Sequence, residues 1–400
     1  MQESATYRNG EAIMARRRKT LLAAGAALGT MLVTTACGTG TGGSSSGDTY
    51  TLGVVTSQTG PASQLGVGEK RGAALAAAHI NANGGINGKK LKLIFADDQS
   101  TPDQALQQTR DLLKQGVAGI VGSSVVANCQ AIGPLVEQNG PVEYCLSPGI
   151  DASGYVWSAS AKTDALAEET MQYWKDKGIG RVAIINTTDA SGTDGARAAK
   201  AAAKKVGVTV TKQVSYDPNA VSVTSQLQQA MSSKPQALVV WATGAPVGVA
   251  LKGIQQLGID LPVMTTDGNL ANAFLKRIAD YTPKTLLIPA TRDFWWQTLP
   301  KNDPAYSLEK EYHNKYQAKY GEQPDFGPGV AYDSVLLMAQ AIKKAGSTDA
   351  ADIKAALEKV DGFEGVVGTY HMSPTDHRGL TVEDVRMVQA KNGEFTYVGK

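Results

Sequence analysis

The sequence is poor in the residues that carry most metal and catalytic chemistry. Its 400 residues include four histidines and three cysteines. Only His371 and His377 lie close together in the sequence, and their spacing matches no common metal-ligand pattern. We expect both to lie on the surface of a hairpin, with no metal and no cofactor bound. Because no catalytic constellation assembles from the remaining residues, the chain is not expected to be an enzyme.

The sequence also lacks an excess of either charge over most of its length. Charged residues make up 19% of the chain, and the formal net charge is +2. Five basic and two acidic residues fall within the first 36, so the remainder carries about −1. Nucleic-acid binding is dominated by clustered Lys and Arg that neutralise phosphates. A near-neutral chain is therefore not expected to have a nucleic-acid partner.

The basic residues at the start belong to a pattern typical of an export signal. Residues 16–19 read Arg-Arg-Arg-Lys, and a short uncharged stretch of small and apolar residues follows them. This order matches the basic and apolar regions of a signal peptide, which we predict over residues 1–36. Either Met1 or Met14 is the start, and both Sec and twin-arginine export remain open. Nothing later in the sequence looks like a membrane span.

The residues around Cys37 resemble a bacterial lipobox. Residues 33–38 read Val-Thr-Thr-Ala-Cys-Gly, with Thr34 where such sites usually have Leu. The resemblance implies that Cys37 is lipidated and anchors a lipoprotein to the outer face of the cell membrane. An ordinary cleaved signal with an incidental cysteine is the alternative. The Gly, Ser and Thr residues within 37–47 are typical of a flexible tether.

If Cys37 carries a lipid, Cys129 and Cys145 remain as a pair. An even number of cysteines in an exported protein favours a disulfide. Two unpaired buried thiols are the alternative. Closing a loop of this size would stabilise the fold by roughly 3 kcal/mol in the chain-entropy model.

Short β-rich runs alternate with Ala-rich helical stretches from residue 48 onward. Continuous apolar runs such as 182–185 and 237–240 are typical of strands that are covered on both faces. The alternation predicts parallel sheets with helices on both sides. The predicted strands span residues 51–56, 91–96, 119–122, 141–146, 182–186, 208–214, 237–241, 263–265 and 285–289. The predicted helices span residues 69–82, 102–115, 128–139, 163–176, 195–206, 223–232, 246–257, 306–320 and 330–345.

The pattern fills residues 48–160 and then repeats over residues 164–288, which predicts two doubly wound α/β lobes. After the second set, the chain enters two long helices and ends, from Phe363, in a hairpin-like segment. These last elements must pack on lobes that already exist. Crossovers of the chain between the lobes are therefore expected.

Two stretches of the first lobe carry a specific family signature. Residues 81–93 read NANGGINGKKLKL, and residues 97–105 read DDQSTPDQA. Together with Thr59-Gly60-Pro61 and Ser147-Pro148, they resemble the branched-chain amino-acid type periplasmic binding proteins of ABC importers. The resemblance implies a type I periplasmic-binding-protein fold with a multi-crossover hinge. The N-lobe would comprise residues 48–160 plus 290–362, and the C-lobe residues 161–289 plus 363–400.

The resemblance also implies a function and a site. We expect a monomer that captures a small polar molecule, an amino acid or a related amide or amine, for the permease subunits of an ABC importer. A ligand-sensing receptor module of the same fold, which feeds a signalling partner, is the alternative. The candidate ligand-binding residues, taken by position from the family's contact loops, are Ser57, Thr59, Gln64, Ser124, Val126, Ala127, Ser147, Gly149, Asp151, Ser191, Thr243, Asp267 and Phe326.

Three of these positions bear on the nature of the ligand. Val126 stands where relatives that bind α-amino acids place a hydroxyl residue for the carboxylate, and Asp151 replaces a second carboxylate-binding Thr. Asp267 keeps the acidic residue that usually meets the α-ammonium. Two acids and a lost hydroxyl disfavour a free carboxylate there, because unpaired like charges in a closed cleft repel strongly. We therefore expect a ligand that differs from a plain branched-chain amino acid, or one that sits differently.

Overall fold

The computed structural model describes residues 49–137 and 140–399. The predictions for the signal peptide, Cys37 and the tether lie outside these residues. The first sheet has five parallel strands in the order β2-β1-β3-β4-β5. These strands are β1 (Thr49–Thr56), β2 (Lys90–Asp97), β3 (Gly119–Val121), β4 (Val142–Cys145) and β5 (Val156–Ser158).

Helices cover both faces of this first sheet. They include α1 (Ser63–Ala82), α2 (Pro102–Lys114) and α3 (Val126–Val136). Val54 and Val55 on β1 are both fully buried, but Val54 packs in the main core and Val55 packs in a separate cluster that includes Leu112 of α2. Successive strand residues point to opposite faces. A strand buried on both sides therefore needs consecutive apolar residues.

The second sheet has seven strands in the order β14-β13-β10-β9-β8-β6-β7. Neighbours from β6 to β10 pair in parallel, whereas β13 pairs antiparallel with β10 and β14. The strands are β6 (Arg181–Thr187), β7 (Thr209–Tyr216), β8 (Ala237–Trp241), β9 (Val263–Thr265), β10 (Leu286–Ala290), β13 (Arg386–Lys391) and β14 (Glu394–Gly399). The helices that connect this region are α4 (Thr163–Asp176), α5 (Ala190–Val206), α6 (Thr224–Ser232), α7 (Ala245–Gln256) and α8 (Asn272–Ile278).

After β10 the chain returns to the first sheet before it joins the second sheet again. The returning segment comprises α9 (Pro304–Tyr320), α10 (Phe326–Ala345) and α11 (Ala350–Leu357), and the hairpin of β11 (Asp361–Glu364) and β12 (Thr369–His371) follows it. Helix α10 packs closely on α1: a Cβ at Gly72 would lie 2.1 Å from the carbonyl oxygen of Pro328. Only glycine permits this approach.

We use N-lobe for the part built on the first sheet and C-lobe for the part built on the second. The chain crosses between the two sheets, as expected, but the exact residues at which we divided the lobes stay a prediction. None of the helices within residues 49–137 and 140–399 is long and apolar enough to cross a membrane.

The prediction of two surface histidines is wrong for one of them. His371 is exposed, but His377 is buried and stacks on Trp157 with 3.8 Å between the ring centroids. The segment that follows β12 folds back onto β5 of the N-lobe, where the amide of Ser158 donates to the carbonyl oxygen of His377. Sequence alone did not indicate that a long-range contact would cover the ring.

Candidate functional site

A cavity of about 470 Å³ lies between the N-lobe and the C-lobe. Its walls come from loops that follow the carboxyl ends of strands in both sheets, where open α/β folds bind their ligands. The N-lobe contributes Pro61, Ala62, Gln64, Leu65, Ser100, Ser124, Val125, Val126 and Ala127. The C-lobe contributes Asp189, Ala190, Ser191, Pro218, Asn219, Thr243, Gly244, Ala245 and Pro246.

A larger cavity of about 660 Å³ lies elsewhere, between α8, the loop before α10 and the turn that joins β13 to β14. It includes no residue from the loops that follow β1, β3, β6 or β8. We take the smaller, interlobe cavity as the candidate site, because it combines strand ends from both sheets and contains six of the predicted residues.

Four helices begin at the interlobe cavity. The residues that precede α1, α3, α5 and α7 are Ala62, Val125, Asp189 and Gly244, and all four line the cavity. The first turn of a helix has N–H groups without an intrahelical partner and carries the positive end of the helix dipole. Asp189 caps α5, but within the described residues α1, α3 and α7 have no side-chain cap. Three helix N-termini without a side-chain cap therefore face the cavity, and the wall also carries the carboxylate of Asp189.

Gln64 is the most prominent polar side chain in the wall. Its Nε2 and Oε1 atoms are both inaccessible to solvent, and neither has a hydrogen-bond partner within the described residues. A buried polar atom without a partner costs free energy of roughly 1–3 kcal/mol. A hydrogen-bond partner that reaches the Gln64 amide would remove this cost.

Ser124 lies in the cavity wall against a buried carboxyl group. That group belongs to Glu69 of α1, which is fully buried. Burial raises the pKa of Glu69 to about 8, and the Ser124 side chain opposes this shift only in part. The carboxyl is therefore mainly protonated at neutral pH, and it adds little negative charge behind the wall.

The lobes approach each other closely beside the cavity. A Cβ at Gly244 of the C-lobe would lie 3.7 Å from Nε2 of Gln64 and 3.7 Å from the carbonyl oxygen of Pro61. Gly244 has φ +75° and ψ −128°, a conformation that L-residues rarely adopt. Beside the cavity, a Cβ at Gly149 would lie 3.2 Å from Oδ2 of Asp194 in α5. A ligand held here would be in reach of both lobes.

Six of the predicted ligand-binding residues come together in the cavity wall. They are Gln64, Ser124, Val126, Ala127, Ser191 and Thr243. The other seven do not line it: Ser57, Thr59, Ser147, Gly149, Asp151, Asp267 and Phe326.

Ser57 and Thr59 stabilise the loop after β1 rather than facing the cavity. The hydroxyl of Ser57 donates to Oδ1 of Asp98 at 2.6 Å, and the hydroxyl of Thr59 donates to Oδ2 of Asp97 at 2.7 Å. Both contacts join the ends of the adjacent strands β1 and β2.

The loop after β4 also turns its predicted residues away from the cavity. Ser147 is buried, and its Oγ accepts from the amide of Gly149 within the same turn. The side chain of Asp151 is 97% exposed, and its Oδ1 lies 4.0 Å from Nζ of Lys162. Asp151 therefore lies outside the wall of this cavity and adds no charge to it.

Asp267 and Phe326 are engaged by their own surroundings. Oδ1 of Asp267 accepts from the hydroxyl of Thr266 at 2.7 Å and from the amide of Gly268 at 2.9 Å. Gly268 itself packs against Thr243, because a Cβ there would lie 2.9 Å from Cγ2 of Thr243. Burial raises the pKa of Asp267 to about 6. Phe326 begins α10, and its ring is buried in the main core.

Sequence reasoning missed several residues of the wall. Asp189, Gly244 and Pro246 stand at helix starts, and each has a recognisable signal there: an acidic cap, a glycine, and a proline in the first turn. Pro218 and Asn219 follow the carboxyl end of β7. Their position after a predicted strand would have been enough to include them among the candidate site residues. Leu65, in the first turn of α1, also lines the wall.

Cys129 of α3 and Cys145 of β4 lie together near the N-lobe side of the site. Their sulfur atoms are 2.01 Å apart and their Cα atoms 5.9 Å apart. The Cα separation is within the range that a disulfide requires.

Comparison with known proteins gives consistent matches. A family model described as periplasmic binding protein matches residues 49–394. The Leu/Ile/Val-binding protein homolog 3 of Brucella melitensis biotype 1 is 26% identical over 344 residues, which cover 81% of this chain and 87% of that protein.

Two solved structures share the fold at about 20% identity. One is a leucine binding protein, LivK, from Thermotoga maritima, with a TM-score of 0.77, 20% identity, and coverage of 88% of this chain and 98% of that one. The other is a solute binding protein of an ABC transporter from Rhodopseudomonas palustris BisB5, in complex with 3,4-dihydroxy benzoic acid. Its TM-score is 0.74 at 20% identity, with coverage of 88% of this chain and 97% of that one.

Proposed function

The chain belongs to the periplasmic binding protein family, in its branched-chain amino-acid type, and we propose that it captures a small organic solute in the interlobe cavity. The captured solute is delivered to the permease subunits of an ABC importer. The fold is the type I periplasmic-binding-protein fold, as predicted. The family consists of extracytoplasmic ligand binders that perform no chemistry, which confirms the prediction that the chain is not an enzyme.

One observation carries the proposal of capture. The interlobe cavity combines loops of both lobes, three uncapped helix N-termini and a buried amide without a partner. A ligand that satisfies groups on both lobes stabilises the closed arrangement, which is how hinge-bending binding proteins report occupancy. A solute of the amino-acid, amide, amine or carboxylic-acid class is suited to a cavity of this size and polarity.

We extend the proposal to the anchor and the cysteine pair. Lipidation of Cys37 and the Gly/Ser-rich tether would keep the binding domain beside its permease at the outer face of the cell membrane. A disulfide between Cys129 and Cys145 would suit an extracytoplasmic compartment. The Cα separation of 5.9 Å supports this pairing.

A thermal-shift screen of the mature chain tests the proposal. Amino acids, amides, amines, ureas and aromatic acids are each added at about 1 mM. For a ligand with a Kd of about 10 μM this concentration is roughly 100 times the Kd, and binding then stabilises the folded protein by about 2.7 kcal/mol. Ala127→Trp fills the cavity from the N-lobe side and is expected to abolish the shift. Ala201→Trp, on the exposed face of α5, is the matched control. An unshifted wild type across all classes would contradict capture of a small solute.

A further inference from the structure

We infer that the edge of the N-lobe opposite the interlobe cavity is a docking surface for the anionic phospholipid headgroups of the membrane that carries the anchor. This surface, here called the basic face, consists of five lysines in the loop before β2, on β2 and at the end of α10: Lys89, Lys90, Lys92, Lys343 and Lys344. The inference rests on the proposed lipidation of Cys37. It adds an orientation to that proposal, because it states which side of the binding domain contacts the bilayer.

Contacts between distant segments bring these lysines together. Lys90 lies beside Thr49 in the parallel pairing of β1 and β2, and Lys92 follows two residues later on the same side of the strand. The loop before β2 also contacts the end of α10, because Nδ2 of Asn87 donates to the carbonyl oxygen of Lys343 at 3.3 Å. Four of the five lysines are exposed, and the fifth is half-buried. Their charges therefore face solvent on one side of the N-lobe.

No acidic residue accompanies these lysines in their own segments. Residues 79–96 and 334–348 contain no Asp or Glu. The acid that follows α10, Asp349, caps α11, because its Oδ1 accepts from an amide in the first turn at 2.9 Å. Near the last turn of α1, Glu311 already pairs with Lys315. The basic face is thus a local concentration of positive charge on a chain that is nearly neutral overall.

The turns around these lysines face open solvent. A Cβ at Gly84, Gly88 or Gly346 would meet no atom within 4 Å. The large apolar side chains that are exposed within the described residues all lie in other segments: Val67, Val221 and Tyr397. A lysine ammonium is a strongly hydrated point charge, so lysines without an apolar wedge suit an extended layer of anionic headgroups. Contact of this kind is superficial and is weakened by salt.

The described chain begins at the basic face. Thr49 is the first residue of β1, and it stands 12 positions after Cys37. A segment of that length, rich in Gly, Ser and Thr, has a root-mean-square reach of roughly 20 Å, so a lipid on Cys37 would hold the lysines close to the headgroups. Tethering also raises their effective concentration at the bilayer, and a weak attraction is then sufficient. The segment adds one acid, Asp48, against the five lysines.

Membrane contact through the basic face would point the interlobe cavity away from the bilayer. Strand β1 runs from Thr49 to Thr56 over about 23 Å, and the loop that follows it lines the cavity. The cavity would therefore face the surrounding medium while the protein captures its solute. The domain would then have to leave the bilayer surface before its cavity side can reach a permease, and a weak, salt-sensitive contact permits this exchange.

Partition of the unlipidated mature chain onto vesicles tests the basic face without the anchor. Vesicles of phosphatidylcholine with phosphatidylglycerol are compared with phosphatidylcholine alone, at low and at high salt. We expect binding only with phosphatidylglycerol at low salt, and a roughly 30-fold weaker partition for Lys90→Glu/Lys92→Glu. Lys200→Glu/Lys204→Glu makes the same change in net charge on the exposed side of α5 and should partition like wild type, because distant charges are screened. Equal partition of the two double variants, or equal binding to both kinds of vesicle, would overturn the inference.

Acetylation of lysines in the lipidated wild-type chain on the same vesicles tests the orientation. Peptide mass spectrometry follows the reaction of each lysine. We expect the basic face to react several-fold more slowly when phosphatidylglycerol is present and to recover at high salt. Lys70, which contacts Gln58 in the loop after β1, and Lys252 of α7 should react at unchanged rates, because both lie on the cavity side. Protection of Lys70 and Lys252 in place of the basic face would overturn the orientation.

Failure of this inference is distinguishable from failure of the proposed function. The intact mass of the mature chain shows whether Cys37 carries a lipid, and a mass without the lipid would refute the anchor and the orientation that depends on it. A lipidated chain whose lysines react equally on both kinds of vesicle would refute the basic face alone. Capture of a solute is measured by the thermal-shift screen, to which neither result contributes.

Discussion

Nη2 of Arg378 donates to the carbonyl oxygen of Ile150 at 2.7 Å. Its Nη1 donates to the carbonyl oxygen of Ser160 at 2.8 Å and to Oγ of Ser158 at 2.9 Å. The guanidinium thus joins the segment after β12 to the loop after β4 and to the chain as it leaves β5. All these acceptors are neutral, and burial lowers the pKa of Arg378 to about 10. Arg378 is a positioning residue for the loop beside the cavity.

Arg378→Met is expected to destabilise the protein. It removes the donor from three buried acceptors, and one hydrogen bond to a charged group contributes about 1.5–3 kcal/mol. Because the three bonds share one guanidinium and the loop can relax, their contributions do not add, and we expect a loss of about 2–4 kcal/mol. Urea unfolding of the mature chain measures it. Arg110→Met, on the exposed face of α2, should change the unfolding free energy by less than about 0.5 kcal/mol. Equal midpoints for the two variants would contradict the assignment.

Most of the fold was predictable because its strands are long or fully buried. Each of the nine predicted strands and nine predicted helices has a counterpart, with ends displaced by a few residues. Strands β11 to β14 were expected only as a hairpin-like segment from Phe363. The other strands and α-helices that were not predicted are short: β5 has three residues, α8 seven and α11 eight. So few residues cannot show the hydrophobic periodicity that identifies a helix or a strand. The secondary structure of such short segments depends on tertiary contacts more than on local preference.

The candidate site was less predictable, since loop direction depends on contacts that are distant in the sequence. The outward position of Asp151 follows from a loop whose neighbouring residue, Ile150, is held by an arginine 228 residues away. Position relative to strand ends identified six residues of the wall. It could not reveal that the hydroxyls of Ser57 and Thr59 were already used by the end of β2.

Glu69→Gln is expected to flatten the pH dependence of stability. The folded-state pKa of Glu69 is about 8 and its ordinary value is 4.5, so the folded state holds an extra proton between these values. The group's contribution to stability is present below pH 4.5 and is lost as the pH rises toward 8, by at most about 1.4 kcal/mol per pH unit. The advantage of Glu69→Gln over wild type should therefore grow from pH 5 to pH 8.

Urea unfolding at pH 5, 6, 7 and 8 measures this difference. Burial also raises the pKa of Asp293 to about 8, but Asp293 is present in both proteins and its contribution cancels. Asp325, with a pKa raised to about 7, interacts with Glu69, so its titration adds to the difference between the two proteins in the same pH range. Glu394→Gln removes an exposed carboxyl, and its unfolding free energy should change with pH in the same way as that of wild type. If the unfolding free energies of Glu69→Gln and wild type differed by the same amount at all four pH values, Glu69 would be ionised throughout this range.

Gly244→Ala is expected to weaken ligand binding as well as stability. The backbone of Gly244 has φ +75° and ψ −128°, and this conformation costs an L-residue about 1–3 kcal/mol. The added Cβ would lie 3.7 Å from Nε2 of Gln64, on the side where the lobes meet. Gly258→Ala is the matched control, because Gly258 also has a positive φ (+63°) but open space around it. Both variants should lose stability, and only Gly244→Ala should lose affinity; equal affinities would contradict a role for Gly244 at the cavity.

Replacing both Cys129 and Cys145 by Ala is expected to lower stability by roughly 3 kcal/mol, the chain-entropy value for a loop of about 15 residues. The pair joins α3, whose N-terminus lines the cavity, to β4 of the first sheet. Thermal unfolding with and without dithiothreitol measures the effect: the reductant should destabilise wild type and leave the double variant unchanged. Alkylation of the unfolded mature chain without reductant should modify neither cysteine. Two alkylations under those conditions would show free thiols, and the stability of the N-lobe would then rest on packing alone.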